Sequence, residues 1–139
     1  RNLFQYLKEK NIACIVATHN KNDALSFADY LLIIKNNKIL LNEKPENAYA
    51  NPKEKYVASL FDDVNEITIN NKKQLLYPHQ IKVVEKSKLK ATVLNNEFKG
   101  AHWLLEVKYN TQKLYIEHTK SIEKNTIICF QFTKTIKEG

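Results

Sequence analysis

The sequence predicts an α/β segment of residues 1–65 followed by a small all-β, OB-like barrel domain of residues 66–139. Three observations lead to this prediction. In the first part, stretches with helical spacing of apolar residues alternate with short apolar runs that are typical of strands. After Asp62 and Asp63 the helical periodicity gives way to alternation of apolar and polar residues. At 139 residues, the chain is long enough for two small domains.

The beginning of the chain predicts a helix, a buried strand and a second helix. Leu3–Lys10 has apolar residues at helical spacing and a charged end. Ile12–Ala17 is a charge-free run rich in β-branched residues, and we expect a central parallel strand that is buried on both faces. Thr18–Asn20 is a polar turn, and Asp23–Ala28 returns to helical spacing. This order is typical of an α/β sheet.

A β-hairpin and two short helices complete the first part. Tyr30–Ile34 and Ile39–Leu41 are apolar runs separated by Asn36 and Asn37, and asparagine tolerates the left-handed backbone of a tight hairpin. The two helices are predicted at Pro45–Tyr49 and Lys53–Phe61.

The second part predicts many short strands and no further helix. The strands are expected at Glu66–Ile69, Gln74–Tyr77, Ile81–Val84, Leu89–Leu94, Trp103–Tyr109, Lys113–His118 and Thr126–Thr133. Short strands at this spacing, with Asn-rich turns, indicate a small barrel or sandwich.

One hairpin of the second part can be placed in register from the sequence. If Asn110 and Thr111 form a two-residue turn, one face carries an almost wholly apolar set of pairs and is expected to point to the core. The pairs on this face are Tyr109–Gln112, Val107–Leu114, Leu105–Ile116 and Trp103–His118. The opposite face pairs Glu106–Tyr115 and Lys108–Lys113.

Composition favours a folded cytoplasmic protein. Hydrophobic residues make up 43% of the chain and charged residues 27%, and no apolar run approaches the roughly 20 residues of a membrane-spanning helix. The net charge of +7 raises the question of a nucleic-acid partner, but the lysines are scattered one or two at a time, as on a solvated surface. We therefore expect no direct nucleic-acid contact.

Cysteines and histidines give no metal pattern. Cys14 and Cys129 lie in apolar runs, where a thiol packs as a small hydrophobe, and neither a disulfide nor a zinc site is indicated. His79, His102 and His118 are widely separated in the sequence, and the predicted register places the last two on opposite faces. No metal site is therefore expected.

His19 is the strongest candidate for a functional residue in this sequence. It directly follows the predicted buried strand, and ligands bind at the carboxyl ends of strands in open α/β sheets. An imidazole at this place can donate a hydrogen bond to a phosphate oxygen and orient a water molecule, which suits phosphoryl transfer.

The residues around His19 resemble the switch-histidine segment of ABC transporter ATPases. The resemblance rests on residues 15–20 (IVATHN) with Asp23-Ala24-Leu25, and it continues in order through Asn37-Lys38-Ile39, Pro45-Glu46, Asn51-Pro52 and Tyr56-Val57-Ala58. Residues 76–83 (LYPHQIKV) and Phe98-Lys99-Gly100 are similar to the TOBE domain of importer ATPases. The resemblance implies the last part of a P-loop nucleotide-binding domain followed by a TOBE barrel, in the carboxy-terminal portion of an importer ATPase subunit.

The same resemblance implies the roles of the site and its partners. His19 matches the histidine that contacts the γ-phosphate of ATP across the dimer, so it is the expected catalytic and ATP-binding residue. ATP and Mg²⁺ are the expected cofactors of the complete protein, which would pair with a second copy and with membrane permeases at the cytoplasmic face. The 139 residues contain no G-x-x-x-x-G-K-[ST] loop, so this chain alone is expected neither to bind ATP tightly nor to hydrolyse it.

Two other functions remain open from the residues. The β domain could act as an independent regulatory module that binds an oxyanion or a metabolite. It could also bind single-stranded nucleic acid, as OB-folds do, through Tyr77, Phe98, Trp103 and Tyr115. Trp103 is assigned to the core face in the predicted register, which favours packing over base stacking.

Overall fold

The computed structural model describes residues 2–133, and these residues form mostly strands with a few short helices. The chain divides into two compact units, with the boundary between Phe61 and Asp62. We refer to the residues before this boundary as unit 1 and to those after it as unit 2.

Unit 1 contains four short helices and one hairpin. In chain order they are α1 (Asn2–Glu9), α2 (Lys21–Phe27), β1 (Leu31–Lys35), β2 (Lys38–Glu43), α3 (Pro45–Ala50) and α4 (Lys55–Ser59). Pro45 occupies the first turn of α3, where its missing N–H costs no hydrogen bond. The buried residues of this unit are Ile33, Pro45, Ala48, Val57, Ala58 and Phe61.

The predicted strand at Ile12–Ala17 is wrong. These residues belong to no helix or strand and are exposed, and the Ile15 side chain is 96% exposed. The physical reason is that a central parallel strand needs a hydrogen-bonded neighbour on each side and covering layers on both faces. No described residue supplies such a neighbour. Cys14 is consequently exposed as well, and the expectation that it packs in an apolar core is also wrong.

Paired asparagines close two of the hairpins. Asn36 and Asn37 separate β1 from β2 with φ angles of 52° and 60°. Asn70 and Asn71 separate β3 (Asn65–Ile69) from β4 (Lys72–Leu76) with φ angles of 51° and 62°. Two successive left-handed residues form the type I′ turn that fits the twist of a hairpin. The hairpin predicted around Asn36 and Asn37 is thus confirmed.

Unit 2 is built on a five-stranded antiparallel sheet. A short 3-10 turn at Pro78–Gln80 precedes β5 (Ile81–Val84), which is followed by β6 (Leu89–Phe98), β7 (Trp103–Tyr109), β8 (Gln112–His118) and β9 (Ile127–Phe132). The order across the sheet is β5-β9-β6-β7-β8, and the β3–β4 hairpin is a separate ladder. The edge strands β5 and β8 contact each other, so the sheet curves strongly on itself.

The β7–β8 register matches the prediction at every pair. Tyr109 faces Gln112 and Trp103 faces His118, with the intermediate pairs as expected. The predicted inner face supplies Leu105, Val107, Leu114 and Ile116, which are fully buried. Residues from other strands complete this core: Ile67, Leu76, Ile81, Ala91, Val93, Ile128 and Phe130.

Two asparagine side chains of unit 2 form hydrogen bonds with backbone groups that are distant in the chain. Asn65 is 2% exposed. Its Nδ2 donates to the Tyr115 carbonyl and its Oδ1 accepts from the Tyr115 N–H, both at 2.7 Å. Asn96 does the same with Ile122, at 2.7 Å and 2.9 Å. Each amide satisfies one donor and one acceptor of the backbone, at Tyr115 in the edge strand β8 and at Ile122 in the connection between β8 and β9.

Candidate functional site

His19 lies in an exposed, polar connection directly before α2. The connection is ordered by local hydrogen bonds. Thr18 Oγ1 accepts from the Asn20 N–H at 3.0 Å, and Asn20 Oδ1 accepts from the Asn22 N–H at 2.9 Å. Asn20 therefore caps the amino end of α2, as expected for asparagine at this position. These turns fix the backbone on both sides of His19.

The strand whose end was expected to carry His19 is absent from residues 2–133. His19 therefore follows an exposed run, and no described sheet holds it at a binding crevice. Its imidazole makes no hydrogen bond to another described residue. A single exposed histidine beside a helix cap can donate one hydrogen bond to a phosphate, but it cannot by itself enclose a nucleotide.

An apolar pocket lies between α2 and α3, which contact each other. It has a volume of about 250 Å³ and is lined by Leu25, Pro45, Glu46 and Tyr49. The pocket offers one carboxylate and a largely apolar wall, which does not suit a phosphate group. The pocket therefore contains no group that is suited to binding a phosphate.

The remaining histidines lie in unit 2 and do not converge. The His79 ring stacks on Tyr77 with centroids 5.8 Å apart. His102 Nε2 lies 3.9 Å from Glu117 Oε2. His118 is on the other face of the sheet from His102, as predicted. Within residues 2–133, no three His, Cys, Asp or Glu side chains are grouped as metal ligands.

His118 has a distinct electrostatic environment. Burial lowers its pKa from the ordinary value of 6.5, and the positive charges of Lys120 and then Lys82 lower it further. The effect of Lys120 and Lys82 on His118 was not predicted from the sequence. His118 and Lys120 are close in the chain, but Lys82 is brought near them only by the contact of β5 with β8.

The aromatic residues considered for base stacking have mixed placements. Tyr77 is 2% exposed, and Trp103 packs against the core, as its predicted register requires. Phe98 is 66% exposed, and its ring lies 5.1 Å from that of Trp103. One exposed ring does not form a continuous stacking surface for several bases.

The chain is similar in sequence to the ATP-binding proteins of several importers. It is 25% identical to the spermidine/putrescine import ATP-binding protein PotA of Clostridioides difficile (strain 630), with 86% of this chain and 42% of that protein covered. It is 26% identical to the Fe(3+) ions import ATP-binding protein FbpC of Haemophilus influenzae (strain 86-028NP), with the same coverage of 86% and 42%. It is 31% identical to PotA of Trichormus variabilis over 72% of this chain and 26% of that protein. No protein-family model matches the chain.

The sequence similarity to these relatives involves both units. An aligned share of 86% exceeds what either unit alone could supply, so the similarity extends into both. The chain spans less than half of the length of these curated relatives, at 42% for two of them.

Proposed function

Because the chain is related in sequence to the ATP-binding subunits of ABC importers, we propose that it is the carboxy-terminal part of such a subunit. Residues 1–65 form the end of a P-loop nucleotide-binding domain, and residues 66–139 form a TOBE-like, OB-like β-barrel. The observation that carries the proposal is the similarity of both units to proteins of one kind, at 86% of this chain.

The exposed apolar run supports the first part of this proposal. Ile12–Ala17 has the composition of a central parallel strand but is exposed, with Ile12 at 49%, Ile15 at 96% and Val16 at 53%. In the complete domain, neighbouring strands pair with this run and cover its side chains. Burial of these three large residues contributes several kcal/mol, at roughly 1.5–3 kcal/mol for each fully buried side chain. Unit 1 is therefore stabilised by the remainder of the domain.

In the complete subunit, pairing of the run places His19 at the carboxyl end of a buried strand. There the imidazole donates a hydrogen bond to the γ-phosphate of ATP held between two subunits. The Thr18 and Asn20 turns fix the backbone that carries the imidazole. Phosphoryl transfer depends chiefly on positioning and on charge stabilisation, and one well-placed donor contributes about 10²–10³-fold to the rate. ATP and Mg²⁺ are held by motifs outside these 139 residues.

The partners follow from the same assignment. The complete subunit forms a homodimer, docks on membrane permease subunits and lies peripherally at the cytoplasmic face of the membrane. None of the helices formed by residues 2–133 has the length and apolar character needed to cross a bilayer. The relatives are named for different solutes, including polyamines, iron(III) and glycine betaine with carnitine. The proposal therefore names no solute.

The role of His19 is tested in the complete subunit. His19→Ala should lower the ATPase kcat by about 10²-fold or more, with nucleotide affinity retained. His102→Ala in unit 2 is the matched control and should leave kcat unchanged. Unaltered turnover of the His19 variant would remove its assigned role.

The assignment to the ATPase family has a separate test. The coding region upstream of Arg1 should encode a G-x-x-x-x-G-K-[ST] phosphate loop. An upstream region without this loop would overturn the assignment itself, whatever the His19 variant does.

A further inference from the structure

A band of lysines crosses the outer face of the five-stranded sheet. The inner face of this sheet packs on the core of unit 2, so the residues at alternate strand positions face solvent. We use the name lysine band for four exposed lysines at these alternate positions: Lys82 on β5, Lys90 on β6, Lys108 on β7 and Lys113 on β8. Lysines that are scattered along the sequence thus share one face of the folded unit.

The strand register places the four lysines along a diagonal. Lys108 lies directly opposite Lys113. Lys90 is the diagonal neighbour of Lys108 across the β6–β7 pair, about 7–8 Å away. Lys90 and Lys82 lie on the two strands that flank β9, two positions apart in register. The band therefore extends across the whole sheet, over about 20 Å at the usual strand spacing.

Most of the charge of the lysine band is not neutralised by residues 2–133. Lys82, Lys90 and Lys108 form no ion pair with any of these residues. Lys113 is paired with Glu106, with 2.8 Å between Nζ and Oε1. Like charges directly opposite each other destabilise a sheet. Protection of a sheet edge does not account for the band, because β6 and β7 are inner strands. A bound anion would remove the repulsion.

The outer face carries two further carboxylates, but they lie away from the lysine band. Glu97 and Glu117 are both opposite Leu104, four positions before the lysine of the band on β7. Glu97 is paired with Lys99 at 3.1 Å, and Glu117 Oε2 lies 3.9 Å from His102 Nε2. One end of the outer face is therefore basic, and the other end has carboxylates that already have partners.

The curvature of the sheet selects among anionic partners. Because β5 contacts β8, the sheet curves on itself and its outer face is convex. A nucleic-acid duplex is stiff over about 150 base pairs, and a membrane is flat at this scale, so either would contact only part of the band. A single strand can bend to follow the band, and it presents one negative phosphate at each nucleotide. A single-stranded nucleic acid thus fits both the charge and the shape.

We propose that the lysine band binds single-stranded nucleic acid through the phosphodiester backbone, without reading the bases. The proposal goes beyond the ATPase assignment and does not rest on it, because all four lysines lie in unit 2. It replaces the expectation from the sequence that the chain makes no nucleic-acid contact. Phosphate contacts also need no continuous aromatic surface, which the described residues do not provide.

Binding is measured by the fluorescence anisotropy of a labelled oligothymidylate of about 15 nucleotides, titrated with the 139-residue chain at several salt concentrations. We expect saturable binding that weakens as salt is added. If each lysine neutralises one phosphate, the logarithm of the association constant falls with the logarithm of the salt concentration with a slope of about −3. A duplex of the same length and polyglutamate are the comparison ligands, and both should bind more weakly.

Three variants separate the lysine band from the general positive charge of the protein. Lys90→Gln/Lys108→Gln should weaken binding by about tenfold or more at low salt and reduce the salt slope to about half. Lys38→Gln/Lys72→Gln removes the same charge from exposed positions outside the five-stranded sheet and should change the affinity by less than about twofold. Glu106→Gln releases Lys113 from its ion pair and should strengthen binding by about twofold or more.

Several outcomes would overturn the proposal. They are the absence of saturable binding at low salt, equal losses of affinity in the two double variants, and weaker binding by Glu106→Gln. Equal or tighter binding of the duplex or of polyglutamate would also overturn it, since the partner would then not be a single-stranded nucleic acid.

Discussion

The Asn65 side chain offers the sharpest test of how unit 2 is held together. Asn65→Asp keeps the size of the side chain and changes only its chemistry. Asn65 is 2% exposed, and its amide donates to the Tyr115 carbonyl and accepts from the Tyr115 N–H, each at 2.7 Å. An ionised aspartate keeps the second hydrogen bond but loses the first. It also sets a carboxylate oxygen against the Tyr115 carbonyl oxygen.

The cost can be worked out from this geometry. Leaving the buried carbonyl without a donor costs about 1–3 kcal/mol. Burial of the carboxylate and its repulsion from the carbonyl add to this, so we expect a loss of about 2–4 kcal/mol at pH 7. The same effects raise the pKa of the new carboxyl above its unfolded value of about 3.9. Protonation restores a donor, so the loss should shrink as the pH is lowered from 7 to 5.

Trp103 is the single tryptophan of the chain and lies in unit 2, so its fluorescence reports urea unfolding of this unit. Asn71→Asp is the control, because it makes the same change in charge at an exposed turn residue. We expect the control to lose less than about 0.5 kcal/mol. The reasoning would be refuted by equal losses in the two variants, or by a loss in Asn65→Asp that is the same at pH 5 and pH 7.

Four further predictions follow from single features. Asn71 has a φ of 62°, so Asn71→Ala should cost about 1–2 kcal/mol and Asn71→Gly should cost little, in the same urea assay. Leu114→Ala should cost about 2–5 kcal/mol because Leu114 is fully buried, whereas Ile127→Ala, at a residue that is 69% exposed, should cost less than about 1 kcal/mol. The pKa of His118 is lowered on folding, so the free energy of unfolding should fall as the pH drops below 6.5, and His118→Gln should remove this component in urea titrations at successive pH values. Cys14 is exposed and should react readily with a thiol reagent in this chain but be protected in the complete subunit; equal reactivity in both would argue against burial of the Ile12–Ala17 run.

The sequence predicted the local structure of unit 2 well, because local rules determine it. The alternation of residues in β7 and β8, together with a two-residue turn after Tyr109, left one register that buries the apolar face. Asparagine residues likewise predicted hairpin turns, because asparagine tolerates the left-handed backbone conformation that these turns require. The bounds of β6 were less accurate. This strand continues to Phe98 past a bulge between Val93 and Asn95, and an irregularity of this kind breaks the alternation on which the prediction relied.

The contacts that sequence reasoning missed join residues that are distant in the chain. Asn65 and Tyr115 are 50 positions apart, and Asn96 and Ile122 are 26 apart. Nothing in the residues around an asparagine indicates that its amide will bond to a backbone segment this distant in the chain. The effect of Lys82 on His118 was missed for the same reason, because it depends on the contact between β5 and β8.

The Ile12–Ala17 run shows that a sequence pattern describes an environment as well as a backbone conformation. A charge-free run with apolar residues on both faces is stable only where strands flank it and other layers cover it. Outside that environment, the same residues have no neighbouring strand among residues 2–133 and no surface to bury them, and they stay exposed. Under the proposed function, His19 depends on this run in turn, because pairing of the run with neighbouring strands would place His19 at the end of a buried strand. The position of the proposed catalytic group is then determined by residues outside the described part of this chain.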